Sequence, residues 1–284
     1  MKKIYFLLLI AFSFCCLQGN AAKKKEATET PQKLLSVNYS YWDRQVVSHR
    51  GYKGFPENTI IAFEEAIIHG FKIVECDIAF SKDDVAVLSH DATVNRCSNF
   101  KGKVSDFEIN LLAIMDFGSK TSPEFKGETI ATLKELLILC RRNNVMIDLD
   151  CANKERFPNS RYQQLYNMIK KYGMLGNVIF TDDAENLKVL LDIDPNVIVS
   201  VAHCKTMEDV NKSMEVAKRA RYADFTFNYK DLTSEMVKAI HDEGLMVRCW
   251  TVDTLEDMKK CVDMGIDKLT SNVLGPKFDY RIKE

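Results

Sequence analysis

The chain has 284 residues, 46% of them hydrophobic, and a formal net charge of −1. That length and apolar content suffice for one large core or two modest ones. The near-balanced charge leaves no strongly basic patch, which argues against a nucleic-acid backbone as the main ligand.

Met1-Lys2-Lys3 is a short positive start, Ile4 to Leu17 is an almost unbroken apolar run, and Gly19-Asn20-Ala21-Ala22 offers small residues for cleavage. This is the pattern of a secretory signal peptide over residues 1–21, too short and wrongly flanked for a stable membrane span. The protein is therefore expected to be exported, to a periplasm or outside the cell. Cys15 and Cys16 close the apolar run, so a lipoprotein is the alternative, and a lipid anchor is the one membrane contact expected. Residues 22–33 are polar and charged and read as a flexible tether. One folded domain is expected over 34–284. The seven cysteines beyond the signal are an odd number with no zinc spacing, and several lie in apolar runs as small hydrophobes. Oligomeric state is not set by any of these features.

Beyond the tether, short β-rich runs alternate with amphipathic helical stretches. The first strand, Gln45–Ser48, leads into His49-Arg50-Gly51. Pro56-Glu57-Asn58-Thr59 follows, with Asn58 as the start signal of a helix over Thr59–His69 that closes at Gly70. The second strand, Lys72–Asp77, carries Glu75 and Asp77. A turn and an extra strand over Val85–His90 come next with no crossover helix, ending in His90-Asp91. Residues Ala92–Thr129 form a long irregular insertion, a feature that is uncommon in a compact barrel and often functional. Helix Thr132–Arg142 and strand Val145–Leu149 restore the alternation, and the strand runs through Asp148 into Asp150. Strands at Asn177–Phe180, Val197–Val201, Tyr222–Phe225, Leu245–Thr251 and Lys268–Thr270 complete a set of eight. Helices over Arg161–Tyr172, Ala184–Ile193, Thr206–Arg219, Thr233–Glu243 and Leu255–Met264 fall between them. The alternation predicts an α/β fold, a parallel (β/α)8 TIM barrel with an extra hairpin and an insertion after its second strand. An open doubly wound sheet is the alternative.

In such a barrel the C-terminal strand ends form the active face. His49, the pair Glu75/Asp77 and the pair Asp148/Asp150 end neighbouring strands, and the i, i+2 spacing puts each pair on one side of its strand. A hairpin returning from Asp77 brings His90 back beside Glu75. Four carboxylates in one mouth repel each other, and a divalent cation is the simplest remedy; all-oxygen ligation favours calcium or magnesium. Imidazoles pass protons near neutral pH, and the Arg50 guanidinium suits phosphate. The set suggests metal-assisted cleavage of a phosphate ester. His69 and His241 sit on helices and read as solvated, whereas His203 follows a strand and can reach the mouth.

The ordered set H-R-G, P-E-N-T, E-x-D and H-D resembles the glycerophosphodiester phosphodiesterases, of the barrel superfamily that includes the phosphatidylinositol-specific phospholipases C. Echoes continue in Glu128–Glu135, in Trp250-Thr251-Val252-Asp253 and in Gly265-Ile266-Asp267, so the likeness spans most of Val46 to Pro276. The resemblance implies hydrolysis of small-molecule glycerophosphodiesters to glycerol 3-phosphate and an alcohol. It implies that His49 and His90 are the acid/base pair and that Glu75, Asp77 and Asp148 bind the metal. Arg50 then holds the phosphate, Trp250 packs against glycerol carbons, and Glu57 joins the polar network. In the family the substrate's own glycerol hydroxyl attacks phosphorus, and water opens the cyclic phosphate. This chain departs from the family's E-x-K at Asp148-Leu149-Asp150, which places Asp150 where a lysine would meet substrate phosphate, with Lys154 on the next loop as a compensating charge. Asp253 and Asn272 are milder departures. The alternatives are a phospholipase D-like lyase that stops at the cyclic phosphate and a barrel that binds phosphodiesters without turnover.

Overall fold

The computed structural model describes residues 46–153, 155 and 157–276. The expected signal peptide and tether, Gln45 and Lys154 lie outside the described residues. Eight parallel strands close into a barrel: β1 (Val46–His49), β2 (Ile73–Phe80), β4 (Met146–Asp150), β5 (Val178–Asp182), β6 (Ile198–Val201), β7 (Tyr222–Asn228), β8 (Met246–Trp250) and β9 (Lys268–Ser271). Closure comes from β1, which pairs with β9 on one side and with β2 on the other. The remaining strand, β3 (Ala86–Leu88), runs antiparallel to the end of β2, pairing Ile78 with Leu88 and Phe80 with Ala86. That hairpin explains why β2 extends past the expected end at Asp77: β3 supplies backbone partners for its last residues.

Alternation along each strand sorts the barrel interior into layers. At the amino-terminal end Val47, Ile73, Met146, Ile179 and Ile198 form one apolar cluster. Two residues further along the same strands stand His49, Glu75, Asp148, Thr181 and Ser200, so the interior turns polar one layer up. The opposite strand faces pack in a large core against the helices α1 (Ile60–Ile68), α3 (Leu133–Asn143), α4 (Tyr162–Lys171), α5 (Ala184–Ile193), α6 (Met207–Arg219), α7 (Ser234–Asp242) and α8 (Leu255–Asp263). In α3, for example, Leu133, Leu136, Leu137 and Cys140 are buried, each leucine contributing roughly 1.5–3 kcal/mol of transfer free energy. Thr132 and Glu135 form a reciprocal capping box at its start.

The insertion is more ordered than its sequence suggests. It contains short 3-10 turns and the single-turn helix α2 (Ile109–Leu112). Val94, Val104, Leu112, Met115, Phe117 and Ile130 close a second core against Ala79 and Val87 of the hairpin. The extra hairpin is thus a packed platform for His90.

Gly51 marks the tightest backbone approach near the mouth. Its φ is +99°, and a Cβ there would lie 2.5 Å from the Ala62 Cβ and 2.9 Å from the Ala62 carbonyl carbon. Neither neighbour is a flexible tip, so the Gly51→Ala variant is expected to lose roughly 2–4 kcal/mol of stability. Denaturant unfolding monitored by circular dichroism checks this; an unchanged midpoint would contradict the contact with Ala62.

Candidate active site

Each reactive side chain is held by a specific backbone or side-chain partner. At the end of β1, Arg50 adopts φ +57°, which turns its amide toward β2. That N–H donates to the Glu75 carbonyl at 3.1 Å and to Glu75 Oε2 at 3.0 Å. The Arg50 Nε lies 3.2 Å from Asp77 Oδ2 and its Nη1 donates to Glu57 Oε1 at 3.4 Å. Asn58, expected as a helix-start residue, has another task. It donates to Asp77 Oδ2 at 2.8 Å and accepts the Asp77 N–H at 3.2 Å, while Thr59 stands at the N-cap of α1 without a side-chain cap bond.

The orientation of His49 comes from the far end of the chain. Asn272 donates to Asp253 Oδ2 at 2.8 Å, so its Oδ1 faces the imidazole and lies 2.6 Å from Nδ1. This network places the ring proton on Nδ1 and leaves Nε2 as an acceptor, 3.9 Å from Glu75 Oε2. Burial, and then the nearby Arg50 charge, lower the His49 pKa. Asp253 and Asn272, mild departures from the family pattern in the sequence, are therefore parts of the site.

Glu75, Asp77 and Asp150 bring one carboxylate oxygen each within 4.8 Å of one another. Burial, and then the Asp77 charge, push the Glu75 carboxyl well above the usual carboxylate range. Three carboxylates this close repel one another, and their oxygen donors fit a hard divalent ion. Asp148, expected among the metal ligands, is placed differently. Its two oxygens accept from the Arg248 guanidinium and the Thr181 hydroxyl, while Asp150, for which metal and substrate contact are both open, stands with Glu75 and Asp77; both aspartates line the cavity. Arg248 is 1% exposed and also donates to Ser200 Oγ at 2.9 Å. A second buried pair, Lys268–Asp224, lies at 3.4 Å, with burial lowering the lysine to about 8.

His90 follows β3 and sits with its Nδ1 2.8 Å from Asp91 Oδ1. His49, Arg50, Glu75, His90, Asp150 and Trp250 line one cavity of about 380 Å³, and His203 also reaches it. Trp250 is 37% exposed, as a side chain at the rim of a substrate site would be. Arg96, from the insertion, is a residue that sequence reasoning passed over; it joins Asp91 to Glu57 through charged hydrogen bonds. An arginine in an aperiodic loop carries no pattern that would single it out.

Comparison with known proteins bears on the family and the fold. A sequence profile of the glycerophosphoryl diester phosphodiesterase family matches residues 49–275. A glycerophosphodiester phosphodiesterase of Caldanaerobacter subterraneus is 28% identical over 230 residues, covering 80% of this chain and 93% of that protein. A crystal structure of a glycerophosphoryl diester phosphodiesterase from Parabacteroides distasonis superimposes with a TM-score of 0.68 at 25% identity, covering 86% and 88% of the two chains. The fold is shared with an Oleispira antarctica phosphodiesterase solved in complex with the product sn-glycerol-3-phosphate, at a TM-score of 0.72 and 20% identity over 82% of this chain and 94% of that one. With the profile spanning the barrel from His49 to Gly275, the chain belongs to the glycerophosphoryl diester phosphodiesterase family.

Proposed function

We propose that this protein hydrolyses glycerophosphodiesters to glycerol 3-phosphate and an alcohol, with His49 and His90 moving the protons and a divalent cation in support. The observation that carries this reading is the convergence of both histidines, Arg50 and the carboxylate cluster on one cavity. The names of the relatives and the product bound to the Oleispira enzyme support the substrate class. His49 Nε2, left as an acceptor by the Asn272 contact, takes the proton of the attacking glycerol hydroxyl. His90 protonates the departing alcohol, which leaves a cyclic phosphate, and water then opens that ring at phosphorus to give glycerol 3-phosphate. The Arg50 guanidinium binds the phosphoryl oxygens and Trp250 packs on the glycerol carbons. Glu75, Asp77 and Asp150 would hold calcium or magnesium, which when bound offsets charge on the phosphoryl group. Export rests on the amino-terminal signal pattern alone.

Product analysis with glycerophosphocholine, glycerophosphoethanolamine and glycerophosphoinositol, in calcium, magnesium or EDTA, tests the proposal. Metal-dependent release of glycerol 3-phosphate is expected. A cyclic phosphate accumulating in the phosphorus NMR spectrum would make the protein a lyase, and binding without turnover would overturn the enzymatic reading.

A further inference from the structure

Backbone bonds to β2 hold the chain up to Ser89, but the His90 side chain projects beyond them. His90 follows the short strand β3, its side chain is 40% exposed, and its Nδ1 meets the Asp91 carboxylate. Asp91 is itself 30% exposed, and an exposed carboxylate on a loop does not by itself fix an imidazole. Arg96 supplies the missing constraint. Its Nε donates to Asp91 Oδ2 at 2.8 Å and its Nη2 to Asp91 Oδ1 at 3.1 Å. The same guanidinium donates to Glu57 Oε2 at 2.6 Å through Nη1 and to Glu57 Oε1 at 2.8 Å through Nη2. Both contacts are two-point forks, the geometry in which arginine gives direction as well as charge.

The fork links two parts of the molecule. Asp91 belongs to the hairpin side, while Glu57 lies on the loop after β1 and meets Arg50, which meets Asp77. A chain of charged contacts therefore runs from His90 through Asp91, Arg96, Glu57 and Arg50 to the carboxylate cluster, its last link the Arg50–Asp77 ion pair. The Arg96 hydrogen bonds, foremost, hold the Asp91 carboxyl down at about 2, so that link stays charged across the working pH range.

We propose that Arg96 is a positioning residue for the reaction: through Asp91 it fixes the ring of His90 at a set distance and angle from Arg50 and the cavity. Arg96 meets neither substrate nor reacting atoms; it acts through His90. The inference rests on the proposed role of His90. Lysine in its place reaches one carboxylate as a point charge and cannot fork to two.

A double-mutant cycle on the kcat for glycerophosphocholine hydrolysis, using the mature full-length protein, tests this. Arg96→Met alone is expected to lower kcat by roughly 10- to 100-fold, the scale of misplacing a reacting group. Arg96→Lys is expected to fall between that variant and the wild type. In a His90→Ala background, Arg96→Met is expected to cost less than about twofold more, because the group it positions is gone. The same fold-loss in both backgrounds would overturn the inference and leave Arg96 a structural clamp. Wild-type turnover in His90→Ala would overturn the role of His90 and this inference with it. Asp91→Asn, nearly isosteric, runs the same cycle if Arg96→Met does not fold, with the same coupling expected.

Discussion

His49→Ala is expected to lower kcat/KM by about 10³- to 10⁴-fold, near the upper end of what a single acid/base group contributes. The size of the loss follows from how completely the ring is prepared. Asn272 fixes its tautomer, Asp253 fixes Asn272, and burial together with Arg50 keeps the imidazole neutral at pH 7. A base held in the right state and direction leaves little for another group to replace. The pH dependence has a definite sign. Because the His49 pKa lies below its ordinary 6.5, the acid limb it sets should fall below that value, with activity lost as the pH drops through it. A limb above 6.5, or near-normal turnover in His49→Ala, would contradict the assignment.

The second large effect is on metal binding. Isothermal titration of the EDTA-treated protein with calcium or magnesium is expected to show one site, weakened more than about 100-fold by Asp150→Asn. Asp148→Asn should behave differently. It leaves the buried Arg248 guanidinium short of a partner, so roughly 3 kcal/mol of stability should go. Equal loss of affinity in both variants would show that Asp148 ligates after all. Metal should also stabilise the fold, by about 2.7 kcal/mol at a concentration hundredfold above Kd. In the metal-free protein Glu75 holds its proton more tightly folded than unfolded, since its folded pKa is raised. Stability without metal should therefore fall as pH rises above the ordinary 4.5, and added cation should remove that slope.

The placement of these groups was written in local pattern to a large degree. Period-two alternation put Glu75 and Asp77 on one side of β2, and strand-end positions put His49 and His90 at the same mouth. The alternation of strands and helices with their capping residues gave the α/β class and favoured the barrel over an open doubly wound sheet, because each unit is short and amphipathic in its own right; the pairing of β1 with both β2 and β9 closes it. The hairpin could be inferred because no crossover helix separates Asp77 from Val85.

What the sequence by itself determined, then, is the fold class, the family and the residue types gathered at the barrel mouth. Only the tertiary structure decided which of those residues touch. Asp148 and Arg248 are 100 positions apart and meet across the barrel, while Asp150 groups with Glu75 and Asp77. Asn58 gave up a helix cap for Asp77, Asn272 came from the last described strand end to orient His49, and Arg96 emerged from a stretch without periodicity. The physical reason is the same in each case. Periodicity records which face of an element a side chain occupies, whereas charge pairing depends on strand register and barrel closure, which no local stretch of sequence contains.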